Sequence, residues 1–350
     1  MARVFVAMSG GVDSSVAAAL LHGAGHDVTG ITMQLLPQGD APGECCGTDA
    51  VLSARRVAGV LGIPHYTWDL REAFEREVVS AFAREYASGR TPNPCIRCND
   101  LIKFGVLLDK ATAAGADLLA TGHYARVVPG DSGMPRLARG VDRAKDQSYF
   151  LYRLTQDQLG RVVFPLGDFE KSRVKEIAAT HGLPSASRAE SQEVCFCAPG
   201  EHVPLIVGRF PEAGEPGDIM DAEGNVLGMH RGLAHYTVGQ RKRLGIAGAE
   251  PLYVTALRAA ENQVVVGPAS DLAATRVIAA EAVWRSDSPE AEVDVQTRYR
   301  MVPVRARVRS AGDTLDIELS EPIAGVAPGQ AVVCYEGDTV VGGGVVEAAE

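Results

Sequence analysis

What the sequence lacks narrows it first. No apolar run approaches the ~20 residues that a helix needs to cross a bilayer, and no basic leader with an apolar core opens the chain. A cytoplasmic protein with no membrane partner is the expectation. Low-complexity tracts and repeats at a fixed period are missing, which disfavours disordered and solenoid classes. Basic excess is missing too: 34 Lys and Arg stand against 44 Asp and Glu, a net charge of -10. That balance disfavours indiscriminate binding to nucleic acid. It leaves room for a local basic face, because charges act on a phosphate mainly within a Debye length of ~10 Å. A disulfide framework is poorly supported, since the seven cysteines are odd in number. They read as thiols, metal ligands or catalytic groups.

What is present is a folded composition, 46% hydrophobic and 22% charged, over 350 residues, enough for two or three domains. To about residue 185, strand-like runs ("RVFVAM", "DVTGITM", "HYTWDL", "DLLATG") alternate with helical ones ("SVAAALLHGAG", "DAVLSARRVAGVLG", "REAFEREVVSAFAREYASG", "DLIKFGVLLDKATAAG"). "DQSYFLYRLTQDQLGR" and "EKSRVKEIAATHG" read as two further helices. Such alternation predicts an α/β domain with a parallel sheet covered by helices. Beyond "SQEVCFCAPGEH", short runs are divided by turn signals such as "DAEGN" and "AAENQ". From about residue 275, "VDVQTRYR", "VRARVRS", "TLDIELS" and "AVVCYEG" alternate apolar and polar residues at period two. A closed antiparallel barrel accounts for them. The expected domains are 1–200, α/β and catalytic; 201–272, small and β-rich; and 273–350, a C-terminal β-barrel.

"MSGGVDSS", residues 8–15, joins the first strand to the first helix with more glycine and serine than a turn needs. Gly10 and Gly11 suit a sharp turn with φ > 0 and a phosphate approaching the bare backbone. The helix beginning near Ser14 offers unpaired N–H groups and the positive end of its dipole. Ser9, Ser14 and Ser15 add hydroxyls, and Asp13 can cap the helix or help hold magnesium on the phosphates. No lysine follows the glycines, so the loop matches neither GxxxxGK[ST] nor GxGxxG. SGGxDS after a first strand resembles the PP-loop of ATP pyrophosphatases, which cleave ATP between its α and β phosphates. In an open α/β sheet the nucleotide belongs at the carboxyl edge of the strands, where Met33 and Gly122 stand.

Cys95 and Cys98 form a CxxC in "TPNPCIRCND", ahead of a helix, and Cys195 and Cys197 form a CxC in "EVCFCAPG". A helix N-terminus makes a thiol more acidic, hence a nucleophile or a ligand. Four readings stay open: a four-thiolate zinc staple, ordinary buried thiols, persulfide chemistry, or an iron–sulfur cluster on Cys95, Cys98 and Cys195. An adenylating loop favours the last two, because an adenylate is a leaving group for a sulfur nucleophile. Cationic runs in "RYRMVPVRARVRS" (Arg298, Arg300, Arg305, Arg307, Arg309) and "GQRKRLG" (Arg241, Lys242, Arg243) suit phosphates, although taken alone such runs are usually a solvated face. Tyr124 is either a base-stacking ring or a core residue.

With "GRTPNPCIRCN", "IKF", "ATGHYAR", "KDQSYFL", "CFC", "YTVGQRKRLGI" and "TRYR" following "MSGGVDSS" in order, residues 3 to about 335 resemble the tRNA-specific 2-thiouridylase family. The resemblance implies a Rossmann-like PP-loop domain of the adenine nucleotide alpha hydrolase kind. It also implies ATP, with magnesium, bound by Ala7, Met8, Ser9, Gly10, Gly11, Val12, Asp13, Ser14, Met33 and Gly122. Cys98 is implied as the nucleophile and Cys195 as the persulfide carrier, the two joining in a transient disulfide. Asn93, Pro94 and Cys95 are implied near the target base, and His123, Lys145, Asp146, Gln147, Arg298, Tyr299 and Gln330 on the tRNA. The family pattern has an aspartate where this chain has Cys95, which supplies the third thiol that a [4Fe-4S] cluster would use. A cysteine desulfurase or sulfur relay protein is the implied donor. Cys197 has no assigned role, and Cys45, Cys46 and Cys334 read as structural. A PP-loop ligase or amidotransferase and a zinc-stapled tRNA-binding protein are the competing functions.

Overall fold

Five short runs of β-branched and aliphatic residues form the sheet that positions the glycine loop. The computed structural model describes residues 1–37, 48–130, 133–186, 194–197, 200–246, 250–286 and 288–350; Cys45 and Cys46 lie outside them. The chain divides into two compact units. The first comprises Met1–Val79, Cys95–Pro199 and Asp338–Val340, and the second Ser80–Pro94, Gly200–Gly337 and Val341–Glu350. Among the described residues, no helix is long and apolar enough to cross a membrane.

In the first unit, strands β1 (Arg3–Ala7), β2 (Asp27–Gln34), β3 (His65–Asp69) and β4 (Leu118–Ala120) precede a hairpin, β5 (Ala125–Pro129) and β6 (Pro135–Arg139), and a short β7 (Val162–Val163). The main sheet runs β3-β2-β1-β4-β7 and every pair in it is parallel. β1 is central, with β2 on one side and β4 on the other, so the connections diverge at its carboxyl end. That switch point is where open α/β sheets bind ligands. Helices α1 (Val12–Gly23) and α2 (Thr48–Leu61) pack beside it. In α1, Val16, Ala17, Ala18 and Ala19 are buried against Val4 and Val6, and the small alanines keep the helix close to the sheet.

The stretch "DQSYFLYRLTQDQLGR" departs from its predicted single helix. A 3₁₀ turn, Ser148–Leu151, ends before a separate helix, Gln156–Leu159. Thr155 is the reason: extended at φ -73°, ψ 166°, it caps the second helix, its hydroxyl accepting from Gln158 N while Gln158 returns a bond to Thr155 N. Helical structure also changes pitch across Cys98–Val106, which is wound as π-helix between Pro94–Arg97 and Leu107–Ala113.

The second unit holds two sheets. Strands β8 (Gly217–Met220), β9 (Val226–His230), β10 (Tyr253–Arg258) and β11 (Gln263–Gly267) form a sheet in the order β10-β11-β8-β9. Strands β12 (Ala273–Trp284), β13 (Glu290–Gln296), β14 (Val304–Ala311), β15 (Thr314–Ala324), β16 (Ala331–Glu336) and β17 (Thr339–Ala349) follow. They are ordered β12-β15-β14-β13-β16-β17, and pairing of β12 with β17 closes the barrel. The period-two pattern has the expected consequence: Val293, Val295, Val308, Ile317, Val332 and Cys334 fill the interior. The start of β17 counts with the first unit, where Thr339 pairs with Ala138.

Candidate active site

The two glycines of the loop differ in what the backbone asks of them. Gly10 has φ +74°, and a Cβ there would lie 2.5 Å from Ala50 O, so conformation and space both demand glycine. Gly11 is an ordinary residue by conformation, φ -83°, and a Cβ would meet only Ser9 Oγ, at 3.5 Å. The expectation that both glycines take φ > 0 is thus corrected for Gly11. Among the described residues nothing needs glycine there, whereas a ligand on the helix N-terminus would need the space left open. Among the described residues, no side chain caps α1. Ser9 and Ser14 are tied to each other, Ser9 N donating to Ser14 Oγ at 3.1 Å, and Ser15 Oγ donates to Gly11 O at 2.7 Å. Gly122, after β4, allows close approach: a Cβ would sit 2.7 Å from Ser14 N. Met33, at the end of β2, is partly exposed beside its register partner Trp68.

Asp13 neither caps the helix nor stands free. Its Oδ1 accepts from Lys171 Nζ at 2.7 Å and from Tyr124 Oη at 2.7 Å, and its Oδ2 accepts from Lys171 Nζ at 2.9 Å. Tyr124 is 2% exposed, so it is a core residue serving the loop. Lys171 is buried in the first turn of the helix Lys171–Thr180, at the end whose dipole opposes a cation. Such a placement, unfavourable locally, stations an ammonium beside the glycine loop. The sequence signalled neither partner, because their contacts span 158 and 111 residues.

Three thiols share the same unit. Pro94 occupies the first helical position, for which its fixed φ suits it, Cys95 is exposed next to it, and Cys98 is buried one turn later. Burial pushes the Cys98 thiol up to about 12, Lys103 opposes this, and the charges of Cys195 and Cys95 are close enough to add to it. Lys103 is held by Asn99, whose Oδ1 accepts from Nζ at 2.9 Å while its Nδ2 donates to Phe150 O at 3.0 Å. Cys195 stands at the corner of a turn closed by Cys197 N donating to Val194 O, and the neighbouring Phe196 packs edge-on against Phe74 with centroids 5.8 Å apart. Cys195 is partly exposed and Cys197 buried. Cys334 is a barrel-core thiol, likewise raised by burial to about 12. No three His, Cys, Asp or Glu among the described residues are spaced to hold a metal ion.

The residues implied on tRNA divide by how their side chains are engaged. Asp146 is buried and builds a turn, accepting from Gly140 N, Ser148 N, Ser148 Oγ and Arg139 Nη1. Gln147 Oε1 accepts from Tyr124 N at 3.0 Å, and Lys145 beside them is partly exposed. His123 is wedged against Phe104 and Phe164, and burial followed by the Lys103 charge holds it neutral, well below the usual histidine range. Arg298 donates to Ala324 O, Gln330 to Thr91 O, and the Arg300 guanidinium covers the Tyr299 ring at 5.1 Å. Arg305, Arg307 and Arg309 face Glu290, Glu292, Asp294 and Glu318 across the barrel strands, which makes them the solvated ladder. Arg241, Lys242 and Arg243 differ: they are exposed, with no carboxylate partner among the described residues. Gln240 shapes their loop, accepting from Thr237 N and donating to Lys242 O.

Known proteins are similar to this chain over nearly its whole length. Three family models match: the tRNA methyl transferase HUP domain over residues 2–199, the tRNA methyl transferase PRC-barrel domain over 208–268, and the aminomethyltransferase beta-barrel domain over 274–346. The chain is 50% identical to the tRNA-specific 2-thiouridylase MnmA of Chloroflexus aggregans over 351 residues, covering 98% of each chain. It is 47% identical to the protein of that name from Geobacter metallireducens over 358 residues, covering 99% of this chain and 97% of the relative. The chain belongs to the tRNA-specific 2-thiouridylase family.

Proposed function

We propose that this chain is an ATP-dependent tRNA sulfurtransferase that converts the wobble uridine to 2-thiouridine. The observation that carries the reading is Gly11, a glycine the backbone does not need, at an uncapped helix N-terminus in the unit that also holds Cys95, Cys98 and Cys195. Residues 7–14 with Met33 and Gly122 bind ATP. Lys171 neutralises Asp13 and adds a cation beside the phosphates, while magnesium arrives on the nucleotide. The uridine C2 oxygen attacks the α-phosphate and pyrophosphate departs. Cys98 then attacks the inner sulfur of a Cys195 persulfide, releasing hydrosulfide and leaving a Cys98–Cys195 disulfide. Hydrosulfide adds at C2, AMP leaves, and a thiocarbonyl remains.

A thiol raised to about 12 needs its proton removed before it attacks. The nearby Lys103 charge favours that ionisation. His123 takes no charge in its pocket and meets the tRNA as a neutral imidazole beside Lys103. Asn93, Pro94 and Cys95 border the base; Lys145, Arg298, Tyr299, Gln330 and the Arg241–Arg243 loop take the tRNA, with Asp146 and Gln147 holding the turn around Lys145. A cysteine desulfurase or relay protein loads Cys195. The alternative reading holds the sulfur on an iron–sulfur cluster bound by Cys95, Cys98 and Cys195; among the described residues these thiols are not spaced as a metal site, and the steps above are written without that group.

The test is thiolation of tRNA with ATP and a persulfide donor, read as thionucleoside and AMP. C98S and C195S lose thiolation by at least a hundredfold while tRNA affinity stays within about threefold. Thiolation at the wild-type rate in both variants defeats the thiol mechanism. Amination of tRNA instead of thiolation points to the ligase reading.

A further inference from the structure

Cys95 takes no electron or proton in the reaction just described. Its placement is nevertheless specific. Pro94 starts a helical run that continues without a break to Ala113, so Cys95 and Cys98 stand one turn apart. Residues at i and i+3 of a helix are neighbours, with Cβ atoms about 5–6 Å apart. Cys95 is exposed; Cys98, at 8% exposure, is beyond the reach of a protein-sized reductant. Every round of sulfur transfer leaves Cys98 oxidised to Cys195, and that bond must be opened before the next.

We propose that Cys95 is the resetting thiol, which opens the Cys98–Cys195 disulfide and hands the oxidation to an external dithiol. The inference rests on the persulfide reading above. In the first step the Cys95 thiolate attacks Cys98 Sγ, a Cys95–Cys98 bond forms, and the Cys98–Cys195 bond breaks with its electron pair going to Cys195. Cys195 is then free to accept a persulfide. In the second step an external dithiol attacks Cys95 Sγ and expels the Cys98 thiolate, which takes up a proton. The dithiol's other sulfur closes on the mixed disulfide and releases Cys95. Two electrons pass to the protein, and the dithiol leaves as a disulfide.

The direction of the first step follows from burial. In thiol–disulfide exchange the better-stabilised thiolate leaves faster. Expelling Cys195, which is partly exposed, avoids placing charge on Cys98, whose thiol burial pushes up to about 12. Attack on Cys98 therefore wins over attack on Cys195. In the second step Cys98 does leave, after the dithiol has engaged the exposed sulfur.

Acid quench during steady-state turnover with thioredoxin as sole reductant, followed by thiol blocking and peptide mass spectrometry, tests this. The wild type is expected to show the Cys95–Cys98 disulfide. C95S is expected to accumulate Cys98–Cys195, and its ratio of steady-state to single-turnover rate to fall at least tenfold with thioredoxin, recovering with dithiothreitol. Absence of a Cys95–Cys98 disulfide in the wild type overturns the proposal, as does C95S being reduced by thioredoxin at the wild-type rate. Loss of bound iron in C95S overturns it too, in favour of a cluster ligand. If neither protein forms Cys98–Cys195 while both thiolate tRNA, the persulfide reading itself fails.

Discussion

Gly10 and Gly11 are adjacent and chemically identical, yet replacing them has opposite consequences. Gly10→Ala forces an L-residue to φ +74° and drives a Cβ into Ala50 O, which costs about 1–3 kcal/mol of stability. Gly11→Ala leaves thermal stability within about a degree and weakens ATP binding at least tenfold, because its methyl occupies the phosphate space. Calorimetric melting and ATP titration of the two variants separate fold from function. Cys98 supplies a test with pH as the variable. Its proton is retained from the ordinary thiol range, 9.0, up to about 12, so iodoacetamide modifies Cys95 first and Cys98 more than a hundredfold more slowly at pH 8. The Cys98 rate climbs as pH rises toward 12, as mass mapping would show. The same sign governs stability: a thiol raised in the folded state contributes fully below pH 9 and loses that contribution as pH rises through its folded value.

Elements, unlike single residues, were largely legible in advance. Alternation of β-branched runs with helical ones marked the parallel sheet, and period two marked the barrel, because burial of one face imposes those periods. The helix expected from "DQSYFLYRLTQDQLGR" broke because a local cap at Thr155 outweighed periodicity. Pairing across strands was invisible: the arginines of β14 suited a phosphate patch or a solvated face, and the acids of β13 and β15 opposite them favour the solvated face. For the same reason Lys171 escaped notice as the partner of Asp13. Among the described residues the Arg241–Arg243 loop has no carboxylate partner, and the two cationic runs therefore part company in solution. Replacing Arg241, Lys242 and Arg243 together by alanine lowers the slope of log affinity for tRNA against log salt by about 2–3. The triple alanine variant at Arg305, Arg307 and Arg309 leaves that slope unchanged. Filter binding over a salt series reads both.

At the scale of the whole molecule, neither unit is one continuous piece of chain. The first unit begins at Met1 and is completed by Asp338–Val340, where Asp338 accepts from Arg126 at 3.0 Å and also from Arg143, and Asp338 O accepts from Arg139 N at 2.8 Å. A fragment ending at residue 200 thus leaves the hairpin β5–β6 without its partner. Its melting midpoint should fall several degrees below that of the full chain, and a peptide spanning residues 334–344 should raise it.

The same three residues set a schedule. Synthesis proceeds from the N-terminus and domains tend to fold as they emerge. Here the sheet that carries the glycine loop is made early, but the acid that neutralises Arg126 and Arg143 is translated 212 and 195 residues after them. The unit that carries the glycine loop stays incomplete until Asp338–Val340 have been made, so a chain interrupted before residue 338 holds that loop on an unfinished scaffold.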